Sequence, residues 1–170
     1  MIHVKDAAFP KVDVWAMTSS YAAVILSTDL VPQAFPLIRA TWPGVDLVAW
    51  RSFVRFFNEQ ETAGQSGVQA LRDPTGGLCG VFAYRLDWDL QLGPMLSVQL
   101  FTAVDVANSL RTVRALLDAV EARALQLSCG GIGIRLYGGQ AGLAGRLRRL
   151  GLSSDAGFLR RDVERMRPPN

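Results

Sequence analysis

The sequence predicts an α/β domain of the α+β kind, with a mixed sheet in which an antiparallel meander precedes a parallel βαβ unit and helices flank both. Three observations carry that expectation. The apolar period changes from helical to alternating across the polar break Asn58 to Gly67. Asp73-Pro74-Thr75-Gly76-Gly77 has the residues of a tight turn between two strands. Beyond it the order strand, helix, strand implies a parallel pair joined by a right-handed crossover.

Size and composition agree with one domain over 1–170. A chain of 170 residues can bury one substantial core. A hydrophobic fraction of 49% against 19% charged residues describes a packed globule. The net charge of +3 is an arginine excess, crowded at the C-terminal end in Arg146, Arg148, Arg149, Arg160, Arg161, Arg165 and Arg167. A solvated helix face accounts for such a cluster; the alternative is an anionic partner, either nucleotide phosphates or nucleic acid. Cys79 and Cys129 lack the spacing of a metal knuckle and read as buried thiols. His3 is the only histidine and lies near a terminus, which argues against metal sites and histidine chemistry. No segment has the length of a membrane span, and the start lacks a cleavage pattern, so the expected setting is soluble, reducing and cytoplasmic.

Val12 to Met17 and Tyr21 to Leu26 are β-rich runs parted by Thr18-Ser19-Ser20, readable as a hairpin or one interrupted strand. Ser27, Thr28 and Asp29 offer capping oxygens ahead of a helix with Pro32 in its first turn, ending at Trp42-Pro43-Gly44. Asp46 caps a second helix with Leu47, Trp50, Val54 and Phe57 at helical spacing. Trp42 and Trp50 read as core aromatics or helix-packing residues, not as a ligand cage. Strands follow at Val68 to Arg72, Leu78 to Leu86 and Met95 to Val104, with Asp87-Trp88-Asp89 opening a connection. The last of these has few polar residues, as a central strand does.

From Ser109 the pattern is helical. Leu110, Val113, Leu117, Val120, Ala124 and Leu127 form an apolar stripe, while Arg111, Arg114, Asp118, Glu121 and Arg123 face outward. Asn108 or Ser109 supplies the N-cap and Gly130 the stop. Ile132 to Tyr137 is the next strand, Leu143 to Leu150 a short helix ended by Gly151, and Phe158 to Val163 a closing strand. Gly131-Ile132-Gly133 starts like a dinucleotide fingerprint but lies inside a strand and lacks the third glycine.

The order of elements from Leu96 to Leu152 resembles the cofactor half of the GNAT (N-acetyltransferase) superfamily. Ala115-Leu116-Leu117-Asp118-Ala119-Val120-Glu121-Ala122-Arg123-Ala124 is similar to the body of the helix that follows the family's pyrophosphate loop. Arg148-Arg149-Leu150-Gly151-Leu152 resembles the end of its last helix. The resemblance implies acetyl-CoA or another acyl-CoA as cofactor and a small-molecule or peptide amine as acceptor. It also implies a slot between splayed parallel strands, with Phe101 to Ala103 facing the acyl group. The family loop maps onto Asn108, Ser109, Leu110 and Arg111, with Arg111 and Val113 where glycines normally stand. A Cβ there obstructs the usual approach of a pyrophosphate to backbone N–H groups, whereas the Arg111 guanidinium can bind phosphate directly. The position of the family's proton-donating tyrosine holds Leu147, and Gln140 stands where an asparagine is common. Tyr137 and Gln99 are left as candidates near the chemistry. Asp87, Asp89 and Asp105 are more simply turn or cap residues.

The sequence therefore favours, by a narrow margin, an acyl-CoA-dependent N-acyltransferase with an atypical phosphate site. The alternative is a GNAT-like domain that has lost catalysis and serves binding or assembly. A nucleic-acid-binding role ranks last, because no recognised module accompanies the arginines. Homodimerisation through sheet edges or the aromatic helix Leu47–Phe57 stays open.

Overall fold

A computed structural model describes residues 21–59, 64–104, 110–137, 140–155 and 158–162. The elements in chain order are β1 (Ala22–Ile25), α1 (Val31–Thr41), α2 (Leu47–Asn58), β2 (Ser66–Arg72), β3 (Leu78–Asp89), β4 (Gly93–Ala103), α3 (Leu110–Gln126), β5 (Gly131–Arg135), α4 (Ala141–Arg149), β6 (Ser153–Asp155) and β7 (Phe158–Asp162). They build a seven-stranded sheet in the order β1-β2-β3-β4-β5-β7-β6. β1 to β4 form an antiparallel meander, and β4 and β5 form the expected parallel pair. β6, absent from the sequence reading, pairs antiparallel with β7, which in turn lies beside β5. The Val12 to Met17 run lies outside the described residues.

Alternation along the strands divides the core between the two faces of the sheet. Val68, Ala70, Val81, Ala83 and Leu100 pack under α1 and α2 with Trp50, Val54 and Phe57. Leu71, Phe82, Tyr84, Leu96, Val98 and Phe101 pack under α3 with Val113, Leu116, Leu117 and Val120. α2 begins as expected: the Asp46 carboxylate accepts from the Ala49 N–H at 2.7 Å. The β2–β3 turn is likewise closed by Asp73, which accepts from the Thr75 N–H, the Thr75 hydroxyl and the Gly77 N–H. The Thr75 hydroxyl contributes most to holding the Asp73 carboxyl below its ordinary range.

Several boundaries differ from the sequence reading. α1 has no side-chain cap; the Ser27 carbonyl accepts from Leu30 and Val31, while the Ser27 hydroxyl is turned to Asp29. Asp87 to Asp89 belong to β3, which runs three residues past Leu86 because β4 pairs with it down to Gly93. The stop of α3 is Ser128, a positive-φ residue (55°), with the Cys129 N–H returning to the Ala124 carbonyl. Gly130 instead meets the Leu92 backbone across the sheet. Leu110 is 37% exposed and outside the core, so the buried stripe of α3 starts at Thr112 and Val113 and includes Leu116.

Glu121 and Arg123 do not face outward. Glu121 is partly buried against Arg161, with oxygen and nitrogen 2.6 Å apart. Desolvation raises its pKa, and the adjacent Arg161 charge only partly offsets this. Arg123 lies over the Tyr84 ring, donates to its hydroxyl at 2.9 Å and reaches the Gly64 carbonyl at 2.8 Å. Its guanidinium thereby ties α3 to the chain entering β2. Arg160, from the C-terminal cluster, pairs with Asp89 at 3.5 Å, so with Arg161 it belongs to internal ion pairs on β7 and not to a solvated helix face.

Candidate functional site

Gln99 is where β4 changes course. Ala83 pairs with Leu100 but Tyr84 pairs with Val98, so Gln99 is an extra residue on β4. A bulge of this kind bends its strand and re-aims side chains. Leu96 and Val98 face α3, whereas Gln99 and Leu100 both serve the α1–α2 side, and Phe101 returns to the α3 core. The parallel ladder between β4 and β5 stops at the same place: its register pairs run from Met95 with Gly131 to Val98 with Ile134. β5 ends at Arg135, while β4 continues to Ala103. The two strands are paired at one end and part company at the other.

The main chain of β4 beyond the bulge is directed by its pairing with β3. The Val104 N–H donates to the Cys79 carbonyl, so Thr102 and Val104 point towards β3. A strand residue presents its N–H and C=O to the same edge, and successive residues alternate. Phe101 and Ala103 therefore present theirs to the side that β5 has vacated. Gln140 crosses this space. Its Nε2 donates to the Phe101 carbonyl at 3.1 Å, and its Oε1 accepts from the Tyr137 N–H at 3.0 Å. The amide orientation is unambiguous, because a carbonyl only accepts and an N–H only donates. Gln140 is 8% exposed and stands at the N-cap of α4, so the helix start holds a side-chain strut between the parting strands.

On the other face of β4, under α1 and α2, lies a cavity of about 240 Å³. The end of α1 gives Trp42, α2 gives Ala49 and Phe53, and the bulge gives Gln99 and Leu100. Tyr137, two residues past β5, closes it, with its ring edge-on to Trp42 at 6.1 Å between centroids. The end of α1 is pinned to β4 by a 2.7 Å hydrogen bond between the Thr41 and Thr102 hydroxyls. Trp50 is core, as expected, and its indole N–H donates to the Val31 carbonyl; Trp42 packs part-exposed against the α1–α2 core and also forms a cavity wall.

The candidates named from sequence thus fall into groups. Gln99 and Tyr137 come together at one cavity. Phe101 and Ala103 lie on the vacated edge of β4, but the Phe101 side chain is buried under α3 and only its main chain faces the gap. Leu110 and Arg111 are exposed in the first turn of α3, where no acidic side chain opposes the positive end of the helix dipole. Asn108 and Ser109 lie outside the described residues, as does Asp105. Cys79 and Cys129 are buried and free, and burial, aided by the Asp73 charge, pushes the Cys79 thiol up to about 11, so neither offers a thiolate. Among the described residues no cluster of three or more His, Cys, Asp or Glu side chains could hold a metal ion, and no helix is long and apolar enough to cross a membrane.

No protein-family model and no curated protein sequence matches this chain. Solved structures do. Spermidine N-acetyltransferase from Vibrio cholerae, in complex with CoA and spermine, superposes with a TM-score of 0.66 at 9% identity, over 86% of this chain and 97% of that one. Aminoglycoside 6'-N-acetyltransferase from Acinetobacter baumannii gives 0.65 at 13% identity, over 79% and 92%. Ribosomal-protein-alanine N-acetyltransferase from Brucella melitensis gives 0.62 at 12%, over 80% and 94%. The chain has the GNAT fold.

Leu147 of α4, which the sequence resemblance sets at the family's proton-donor position, is completely buried in the α3-side core and packs there. Gln140 spends its amide within the protein. The sequence reading missed the cavity walls Val45, Ala49 and Phe53, and it missed the bulge. The bulge left a trace in the sequence: Gln99-Leu100-Phe101 breaks the polar–apolar alternation expected of a strand.

Proposed function

We propose that this protein is an acyl-CoA-dependent N-acyltransferase, transferring an acyl group, acetyl in the simplest case, to an amine. The observation that carries the reading is the parting of β4 from β5 at the Gln99 bulge, with the main chain of Phe101 and Ala103 directed into the gap. An extended amide-bearing arm fits such an edge by pairing as a strand would. The first turn of α3, with Arg111 exposed and no acidic residue, suits phosphate groups. The CoA and spermine bound by one of the fold's neighbours, and the aminoglycoside for which another is named, support the same chemistry.

In the reaction the amine nitrogen bonds to the acyl carbon, the carbon–sulfur bond breaks, the nitrogen loses a proton and the departing thiolate gains one. The protein's part is mostly placement. The Phe101 N–H, directed into the gap, is the donor for the carbonyl oxygen as charge builds on it. Gln140, by holding the Phe101 carbonyl, fixes that peptide in place. With Leu147 unable to give a proton, the Tyr137 hydroxyl at the cavity wall takes the acid's role.

Acetyl-CoA titrated into the purified protein, followed by calorimetry, tests the reading. Saturable binding in the micromolar range is expected, weakened about tenfold or more by Arg111→Glu, the scale of one lost charge-assisted contact with a repulsion added. Absence of binding at millimolar acetyl-CoA overturns it and leaves the noncatalytic binding or assembly domain. In turnover assays Tyr137→Phe is expected to lower kcat by about 100-fold, the lower end for loss of a positioned acid. Its KM for acetyl-CoA should stay put; an unchanged kcat removes Tyr137 from the chemistry.

A further inference from the structure

We propose that the cavity between α1, α2 and β4 selects an aromatic monoamine of about indole size as acceptor, and excludes polycations. The acceptor role rests on the transferase reading above; the binding preference does not. At about 240 Å³ the space lies below the usual span for drug-sized ligands, roughly 300–1,000 Å³, and suits one ring system with a short arm.

Its walls are aromatic and aliphatic. Trp42 and Tyr137 meet edge to face at one side, and Phe53 stacks on Trp50 at 5.8 Å between centroids at the other. Among the described lining residues Gln99 brings an amide, Tyr137 a hydroxyl and the two tryptophans an indole N–H each, and none carries a carboxylate. The Gln99 amide nitrogen donates to the Ser97 hydroxyl at 2.7 Å, which leaves its Oε1 to accept from an amine N–H.

Charge decides between acceptor classes. One ammonium at this wall has the Gln99 oxygen and the Trp42 and Tyr137 faces to lean on before it loses its proton. A second or third ammonium further inside would be desolvated among described lining residues that offer no carboxylate, at a cost of several kcal/mol each. Spermine and aminoglycosides, the acceptors named with the fold's neighbours, carry several such groups.

The test is calorimetric titration of tryptamine and of spermidine into the full chain, with acetyl-CoA titrated separately. Tryptamine is expected to bind saturably and at least about tenfold more tightly than spermidine, a gap of about 1.4 kcal/mol. Ala49→Trp, at an exposed helix position on the cavity wall, should fill the space and weaken tryptamine about tenfold or more while acetyl-CoA binding is unchanged. Gln99→Leu is the second variant, expected to weaken tryptamine while leaving indole, which lacks the amine, unaffected. Spermidine binding as tightly as tryptamine, or tryptamine affinity unmoved by both variants, overturns the proposal. Tryptamine binding without acetyl-CoA binding supports this pocket assignment and sinks the transferase reading instead.

Discussion

Gly130→Ala is expected to destabilise the protein by about 3 kcal/mol, the upper part of the usual range for overpacking. An added Cβ would overlap the carbonyl oxygen of Leu92, and that oxygen belongs to backbone with little room to yield. The turn carrying Leu92 is held by Asp89, whose carboxylate accepts from the Gln91 and Leu92 N–H groups at 2.8 and 3.1 Å. On the other side, the Gly130 N–H is engaged by the Pro94 carbonyl at 2.8 Å. Any shift that clears the overlap strains one of these bonds or the β4–β5 register that begins at Met95 and Gly131. Gly145→Ala is the matched comparison: nothing lies within 4 Å of the new methyl group, and the position is inside α4. There alanine should stabilise by about 0.5–1 kcal/mol through helix propensity. Urea denaturation of both variants reads the contrast directly. A Gly130→Ala midpoint equal to that of the unaltered protein would mean that β5 and the β3–β4 turn do not approach as described.

Gly130 also shows what the sequence could and could not reveal. A glycine just after an amphipathic helix has the form of a C-terminal stop, and a glycine needed for close backbone approach has the same form. Only the position of Leu92, distant along the chain, separates the two. Features with a local physical cause were legible. The Asp46 cap and the Trp50, Val54, Phe57 spacing gave α2; the Asp73 turn gave the β2–β3 hairpin; and strand, helix, strand order gave the parallel pair.

What depended on a partner elsewhere was hidden. β3 runs on to Asp89 because β4 is there to pair with it, although Asp87 and Asp89 read locally as connection residues. Glu121 and Arg123 sit on the nominally polar side of α3 but find Arg161, Tyr84 and Gly64. The candidate site divides along the same line. Gln99 and Tyr137 could be named from the resemblance, but their shared cavity exists only because the bulge turns two successive β4 residues to one face. Val45, Ala49 and Phe53 carry no signature of their own.

The second large effect belongs to Gln140→Glu, a change of one atom in a buried strut. At pH 7.5 it is expected to cost about 3 kcal/mol, the sum of a lost buried hydrogen bond and a desolvated charge. The acceptor side survives, since a carboxylate oxygen still receives the Tyr137 N–H. The donor side does not: an ionised carboxylate confronts the Phe101 carbonyl, lone pair against lone pair. Both burial and this repulsion raise the folded-state pKa of the new carboxyl above its value in the unfolded chain, about 4.3. For an acid shifted upward the penalty is absent while both states are protonated, and it grows as pH rises from the unfolded pKa to the folded one. The variant should therefore lie closest to the unaltered protein near pH 4 and fall away as pH rises, in paired denaturation curves at each pH. Because the Phe101 peptide is the one proposed to meet the acyl carbonyl, acetyl-CoA binding should weaken over the same pH interval. A Gln140→Glu protein as stable as the original at pH 7.5 would show that no amide spans the two strands. The gap would then be kept open by the bulge at Gln99 alone.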